Sequence, residues 1–204
     1  EILQNRALVF NTRKASQITA LIPKSHILAE NEGVSKVMVH WDLDEMRILH
    51  NLGIKDVPHP ILGRYKWPGM YTPFDHQRDT AVFLATHPRC FVFNEAGTGK
   101  TAAAAWAADY LMNKGLVKRI LVVCPVSIMD TAWRSDLFKI VMHRSCAIAQ
   151  GSREQRKAVI SKDYEFVIIN FDGVKVVEKE LKAGGVDLII VDEANAIKNV
   201  QTDR

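Results

Sequence analysis

The sequence predicts an α/β domain built on a parallel sheet with helices on both faces, preceded by a small α+β module. From residue 90 onward, short apolar runs alternate with helix-length amphipathic stretches. Continuous apolar strands joined by helical crossovers belong to parallel sheets buried on both faces. Earlier in the chain the texture is different, and a Pro- and Gly-containing stretch from Pro58 to Pro73 separates the two regions. The expected division is an accessory module over residues 1–70 and the α/β domain over 71–204.

Taken in order, Ala7 to Asn11, Ile18 to Ile22 and Lys36 to Trp41 read as short strands. Asp42-Leu43-Asp44-Glu45 reads as a capping box that opens a helix, and Gly53 closes it. Thr72 is the expected cap of a second helix, with Pro73 at its first position. Strands then follow at Cys90 to Phe93, Ile120 to Cys124, Cys146 to Ala149, Phe166 to Ile169 and Leu188 to Val191. The helices between them are expected over Thr101 to Asn113, Asp130 to Ile140, Ser152 to Ser161 and Val174 to Ala183.

Composition narrows the class of protein. A chain of 204 residues, 48% apolar, buries a real core. Lys and Arg number 27 against 23 Asp and Glu, without a basic block, so charge permits nucleic-acid binding without demanding it. Cys90, Cys124 and Cys146 stand singly, which suggests neither a disulfide framework nor a zinc cluster and fits a reducing compartment. The apolar runs are strand-length, far short of the ~20 residues that span a bilayer. No membrane partner is expected, and the expected location is intracellular: cytoplasm, nucleoid, or host cytoplasm for a viral protein.

Two motifs carry chemistry. Asn94-Glu95-Ala96-Gly97-Thr98-Gly99-Lys100-Thr101 lies between a predicted strand and an Ala-rich predicted helix, the context a phosphate-binding loop requires. Gly97 and Gly99 let successive amides face inward, and the helix adds its positive dipole end for an anionic polyphosphate. Lys100 would reach the β- and γ-phosphates, and Thr101 would offer its hydroxyl to Mg²⁺. The strict pattern has Gly where Asn94 stands. The second motif is Leu188-Ile189-Ile190-Val191-Asp192-Glu193, an apolar strand ending in two acids at the edge where such sheets bind ligands. Asp192 would hold Mg²⁺ through its water shell while Glu193 polarises the water that attacks the γ-phosphate. By itself an acidic pair after a strand is commonly a solvated loop.

Together the two motifs, with Asp192-Glu193-Ala194-Asn195 in place of Asp-Glu-Ala-His, resemble the first RecA-like motor domain of superfamily-two helicases and translocases, a P-loop NTPase fold. Leu121-Val122-Val123-Cys124-Pro125-Val126-Ser127 followed by Trp133, together with Ile197-Lys198-Asn199, is most similar to the Swi/Snf-type branch of DNA-dependent ATPases. The resemblance runs from about Tyr71 to the end. It implies ATP and Mg²⁺ as cofactors, ATP held by Phe74, Gln77 and Glu95 to Thr101, with Lys100, Asp192 and Glu193 catalytic. It also implies contacts to the DNA backbone, duplex in this branch, from Pro125, Ser127 and Asn170. Gln77 would bond the adenine edge, since its amide both donates and accepts; otherwise it is an ordinary surface residue of a helix. Asn170 could equally cap a helix, and Trp133 could equally be core.

The resemblance further implies a motor whose second RecA-like domain is a partner lying beyond residue 204, so that these residues alone would hydrolyse ATP very slowly. Asn195 replaces a His or Asp that in the family couples nucleotide to DNA. Residues 1–70 resist assignment. Lys36, His40, Trp41, Arg64, Lys66 and Trp67 would make either a basic-aromatic DNA surface or an ordinary packing module. Rival readings are an RNA helicase and an ATP-binding structural subunit without turnover.

Overall fold

A computed structural model describes residues 1–193, which separate into two compact units, Glu1–Lys66 and a second from Trp67 onward. Asn195 and Ile197-Lys198-Asn199 lie outside the described residues. Among those described, no helix is long and apolar enough to cross a membrane.

The first unit is an antiparallel sheet of order β1-β2-β4-β3, with β1 at Ile2–Leu3, β2 at Ala7–Thr12, β3 at His26–Asn31 and β4 at Val34–His40. On β4 the buried Ser35, Val37 and Val39 alternate with more exposed neighbours, the pattern of a sheet with one face inward. The expected strand at Ile18 to Ile22 is instead part of α1, Ala15–Leu21. Ala15, Ile18 and Ile22 are the buried positions, and steps of three and four are helical. That spacing overrides the β-branched composition of the segment. Strand β3 was not expected, because all six of its residues are exposed and it shows no alternation. It turns back into β4 through Glu32 and Gly33, both at positive φ, which suits a two-residue hairpin.

Helix α2, Leu43–Asn51, begins where expected, with the Asp42 carboxylate accepting from the Leu43 N–H, and Gly53 adopts φ +71° just past its end. A short helix, α3 (Pro60–Arg64), follows. Trp41 is fully buried, its Nε1 donating to the Pro58 carbonyl at 2.6 Å, with the Arg64 guanidinium 5.0 Å over its ring. Trp67 stands edge-on to Trp106 in the second unit. Trp41 is thus part of the core of the first unit, while Trp67 is half-buried against Trp106.

In the second unit the sheet is parallel, of order β6-β7-β5-β8, with β5 at Ile120–Val123, β6 at Cys146–Ile148, β7 at Phe166–Ile169 and β8 at Leu188–Val191. Strands β5 and β7 are buried along their whole length, as strands covered on both faces must be. The fifth expected strand is absent: Cys90 to Phe93 is irregular, with Phe91 74% and Phe93 91% exposed. An apolar run becomes a strand only where its backbone finds a hydrogen-bonding neighbour, and none among the described residues pairs with it.

The next helix, α4, spans Asp75–Thr86 rather than starting at Pro73. Its start is fixed by Gln77, whose Oε1 accepts from the Phe74 N–H at 3.0 Å, a side chain three residues in reaching back to the cap. Helix α5 spans Lys100–Asn113. After β5 the chain winds through α6 (Val126–Ile128), a π-helical turn at Met129–Arg134 and α7 (Ser135–Ile140). Ser152 caps α8 (Arg153–Ile160), and the helix expected over Val174 to Ala183 is broken at the buried Val177 into α9 (Phe171–Val176) and α10 (Glu178–Ala183).

A buried charge cluster ties the elements together. Asp109 of α5, wholly buried, accepts from Arg144 Nε at 2.6 Å, His143 Nε2 at 2.8 Å and Asn113 Nδ2 at 3.1 Å. Arg144 also reaches Glu165, just before β7, at 2.7 Å.

Candidate functional site

The loop from Asn94 to Thr101 has the local geometry its glycines predict. Gly97 and Gly99 adopt φ +79° and +76°, left-handed values that side chains disfavour, and Gly99 leads directly into α5. Lys100 folds over the loop, its ammonium donating to the carbonyls of Asn94 at 3.0 Å and Glu95 at 2.8 Å. Thr98 Oγ1 also donates to the Glu95 carbonyl, at 2.8 Å. The loop is thus drawn together by the Lys100 and Thr98 side chains at a helix N-terminus, where amide donors and the dipole favour an anion. Thr101 sits half-buried in the first turn of α5.

Helix α4 supports this loop from outside. Gln77 Nε2 donates to the Thr98 carbonyl at 3.2 Å while its Oε1 holds the Phe74 N–H, so one amide links the start of α4 to the loop. His76 Nε2 lies 3.1 Å from the same carbonyl, and Asn94 Nδ2 donates to Thr80 Oγ1 at 3.0 Å. The residue that departs from the Gly pattern therefore has a use, tying the loop to α4. His76 and Thr80 were not foreseen, although both lie on α4 near Gln77. Phe74, 69% exposed, stacks on His76 with ring centroids 5.7 Å apart, leaving an aromatic face beside the loop.

The acid pair stands at the end of β8, whose register with β5 (Ile120 opposite Leu188, Val123 opposite Val191) places Asp192 N on the Val123 carbonyl at 2.9 Å. Asp192 Oδ1 accepts from the Glu193 N–H at 2.9 Å, and Oδ2 from Trp133 Nε1 at 2.9 Å. Glu193 is exposed and holds φ +55°, a left-handed conformation that costs a non-glycine residue about 1 kcal/mol. Cys124, adjacent to the pair, has its thiol pushed up to about 12, first by burial and then by the Asp192 charge, and so is no nucleophile.

The remaining candidates flank this region. Pro125 and the exposed Ser127 follow the end of β5, where Ile128 N bonds the Pro125 carbonyl and Thr131 Oγ1 the Ser127 carbonyl. Asn170, at the end of β7, is buried, and its Oδ1 accepts from Arg156 at 3.0 Å. Its amide oxygen is thus held within the fold. Trp133 proves to be both core and partner of Asp192, a link that spacing could not reveal because 59 residues separate the two.

No group of three or more His, Cys, Asp or Glu suited to a metal occurs among the described residues. A magnesium ion that arrives with a nucleotide needs no such cage, since it takes one or two protein oxygens and the phosphates. Each Asp192 carboxylate oxygen accepts one hydrogen bond and keeps lone-pair capacity, and Thr101 stands in the first turn of α5. Both fit that role.

The profile of the SNF2-related domain matches residues 4–204. A protein of Bacillus subtilis (strain 168), named as the uncharacterized ATP-dependent helicase YqhH, is 28% identical over 136 residues, 65% of this chain and 23% of that protein. Among solved structures, the Sulfolobus solfataricus SWI2/SNF2 ATPase core in complex with dsDNA superposes with a TM-score of 0.58 at 23% identity, covering 67% of this chain and 29% of that one. The likeness shows the RecA-like fold. This chain spans under a third of either relative.

Proposed function

Since the chain belongs to the SNF2-related domain family, we propose that it forms the nucleotide-binding half of an ATP-dependent DNA translocase or helicase, converting ATP hydrolysis into movement along duplex DNA. The observation that carries this reading is the loop at the head of α5, with Lys100 folded over it and Gln77 clamping it from α4.

In this reading the amides of Glu95 to Gly99 cradle the phosphates and Lys100 exchanges its loop carbonyls for phosphate oxygens. Phe74 and Gln77 face the base. Thr101 and Asp192 would hold Mg²⁺, which would supply charge neutralisation at the phosphates. Glu193 accepts the proton of the attacking water, a task suited to an exposed carboxylate beside the metal-binding acid. Pro125 and Ser127 offer backbone groups and a hydroxyl to the DNA backbone, contacts that position without reading sequence. Asn170 serves there only by its amide nitrogen. A second RecA-like domain would supply the arginine that such phosphoryl transfers use, worth about 10³ to 10⁵ in rate, so these residues alone should turn over slowly.

The steady-state ATPase rate of the full-length protein tests this, measured alone, then with duplex DNA, single-stranded DNA and RNA, with Glu193→Gln in parallel. Stimulation chiefly by duplex DNA, abolished in Glu193→Gln while nucleotide binding persists, is expected. Stimulation by RNA alone would move the protein to another track, and stimulation by none of the three would leave the motor reading without support.

A further inference from the structure

We propose that Trp133 is a positioning residue for the Asp192 carboxylate, holding it in the orientation in which it meets Mg²⁺-nucleotide. The inference rests on the reading of Asp192 as the Mg²⁺ ligand.

The carboxylate is held by donors from two directions. Trp133 Nε1 approaches Oδ2 at 2.9 Å and the Glu193 N–H approaches Oδ1 at 2.9 Å, while the Asp192 backbone is pinned to β5. Glu193 belongs to the same turn as Asp192 and moves with it. Trp133 belongs to a different element and is itself immobilised, fully buried alongside Met129 on the inner face of the π-helical turn. The indole is therefore the fixed external reference for the side-chain torsions of Asp192.

Burial alone does not explain this partner. The other fully buried tryptophans, Trp41 and Trp106, give their N–H to the backbone carbonyls of Pro58 and Pro68. Trp133 gives its own to a carboxylate, a charge-assisted bond stronger than a neutral one. The helix that carries it is irregular there: Met129–Arg134 is π-helical between α6 and α7, and such turns recur at functional sites. On the exposed face of the same turn Asp130 and Arg134 pair with each other at 2.5 Å, while Met129 and Trp133 are buried.

The test compares Mg²⁺-dependent nucleotide binding by the full-length protein and two variants. Trp133→Phe removes the donor and keeps an aromatic body. Trp106→Phe makes the same deletion at an equally buried site whose partner is a carbonyl. The readout is the ratio of ADP dissociation constants in EDTA and in Mg²⁺, from titration of a fluorescent ADP analogue. Trp133→Phe should lose about 10- to 100-fold of the Mg²⁺-dependent gain, the loss typical of outer partners of a metal ligand. Affinity in EDTA should be unchanged, and Trp106→Phe should keep the full gain. An undiminished gain in Trp133→Phe overturns the proposal. Absence of any gain in the wild type overturns the reading of Asp192 instead, a distinguishable failure. Should Trp133→Phe not fold, indole N–H resonances decide: Asp192→Asn should displace one of them, and that same resonance should move when Mg²⁺ is added to the ADP-bound wild type. If no resonance meets both conditions, the proposal falls.

Discussion

His59 should give the first unit a stability that depends on pH. It caps α3, its Nδ1 accepting from the Ile61 N–H at 3.2 Å, and it is buried. A ring nitrogen that accepts cannot also carry a proton, so the cap requires neutral imidazole. Burial, and next the Arg47 charge, lower its pKa from 6.5 to about 4, with Asp42 opposing. The unfolded chain takes up this proton more readily than the folded one. The stabilisation is therefore complete above pH 6.5, is lost as pH falls from 6.5 toward 4, and changes no further below that. From pH 7 to pH 5 the loss is about 2 kcal/mol, at about 1.4 kcal/mol for each tenfold change in proton activity. His59→Asn keeps a side-chain acceptor at the cap and removes the titration. Urea unfolding read by ¹⁹F NMR of 5-fluorotryptophan isolates the effect, because Trp41 is the one tryptophan among residues 1–66. The wild type should lose about 2 kcal/mol more than His59→Asn between the two pH values. Equal losses would refute the assignment of a buried neutral His59.

Two further perturbations probe the second unit. Gly99→Ala puts a Cβ 2.1 Å from Gln77 Nε2 at a φ of +76°, so the amide must leave Thr98. With about 1–2 kcal/mol of left-handed strain added, nucleotide affinity should fall about tenfold or more by titration. Unchanged affinity would show that the Gln77 clamp does not shape the loop. Asp109→Ala strips the buried end of the Arg144 network and should cost about 3–5 kcal/mol in urea denaturation. A loss nearer the 1 kcal/mol of a surface pair would show the network to be idle.

The glycine loop and the acid pair were legible because their geometry is local. A loop of eight residues with two left-handed glycines and a helix behind it is written contiguously, and so is an apolar strand ending in acids. What stayed hidden depends on residues distant in sequence. Trp133 finds Asp192 only after β5 and β8 pair, and His76 and Thr80 matter only because α4 packs beside the loop. The strand errors have the same origin. Cys90 to Phe93 has a strand's composition, but strand formation requires a partner that composition does not specify. At Ile18 to Ile22 β-branched residues suggested a strand, while the spacing back to Ala15 already carried the helix. Strand β3 has no buried face, and thus no periodicity to read. Glu193 was found by motif, but its left-handed backbone has no mark in the sequence.

Among the described residues strand β8 lies at the edge of its sheet and pairs with β5 alone. Its four residues are Leu-Ile-Ile-Val, without charge or proline, and Ile189 and Val191 are 59% and 41% exposed. An apolar edge of that kind invites pairing with another molecule's strand unless charges flank it. Here the flanking charges are Asp187, which accepts from the backbone N–H groups of Lys118 and Arg119, and Asp192. Neutralising Asp192, the acid assigned to phosphate chemistry, should therefore promote self-association, read as a rise in sedimentation coefficient with concentration.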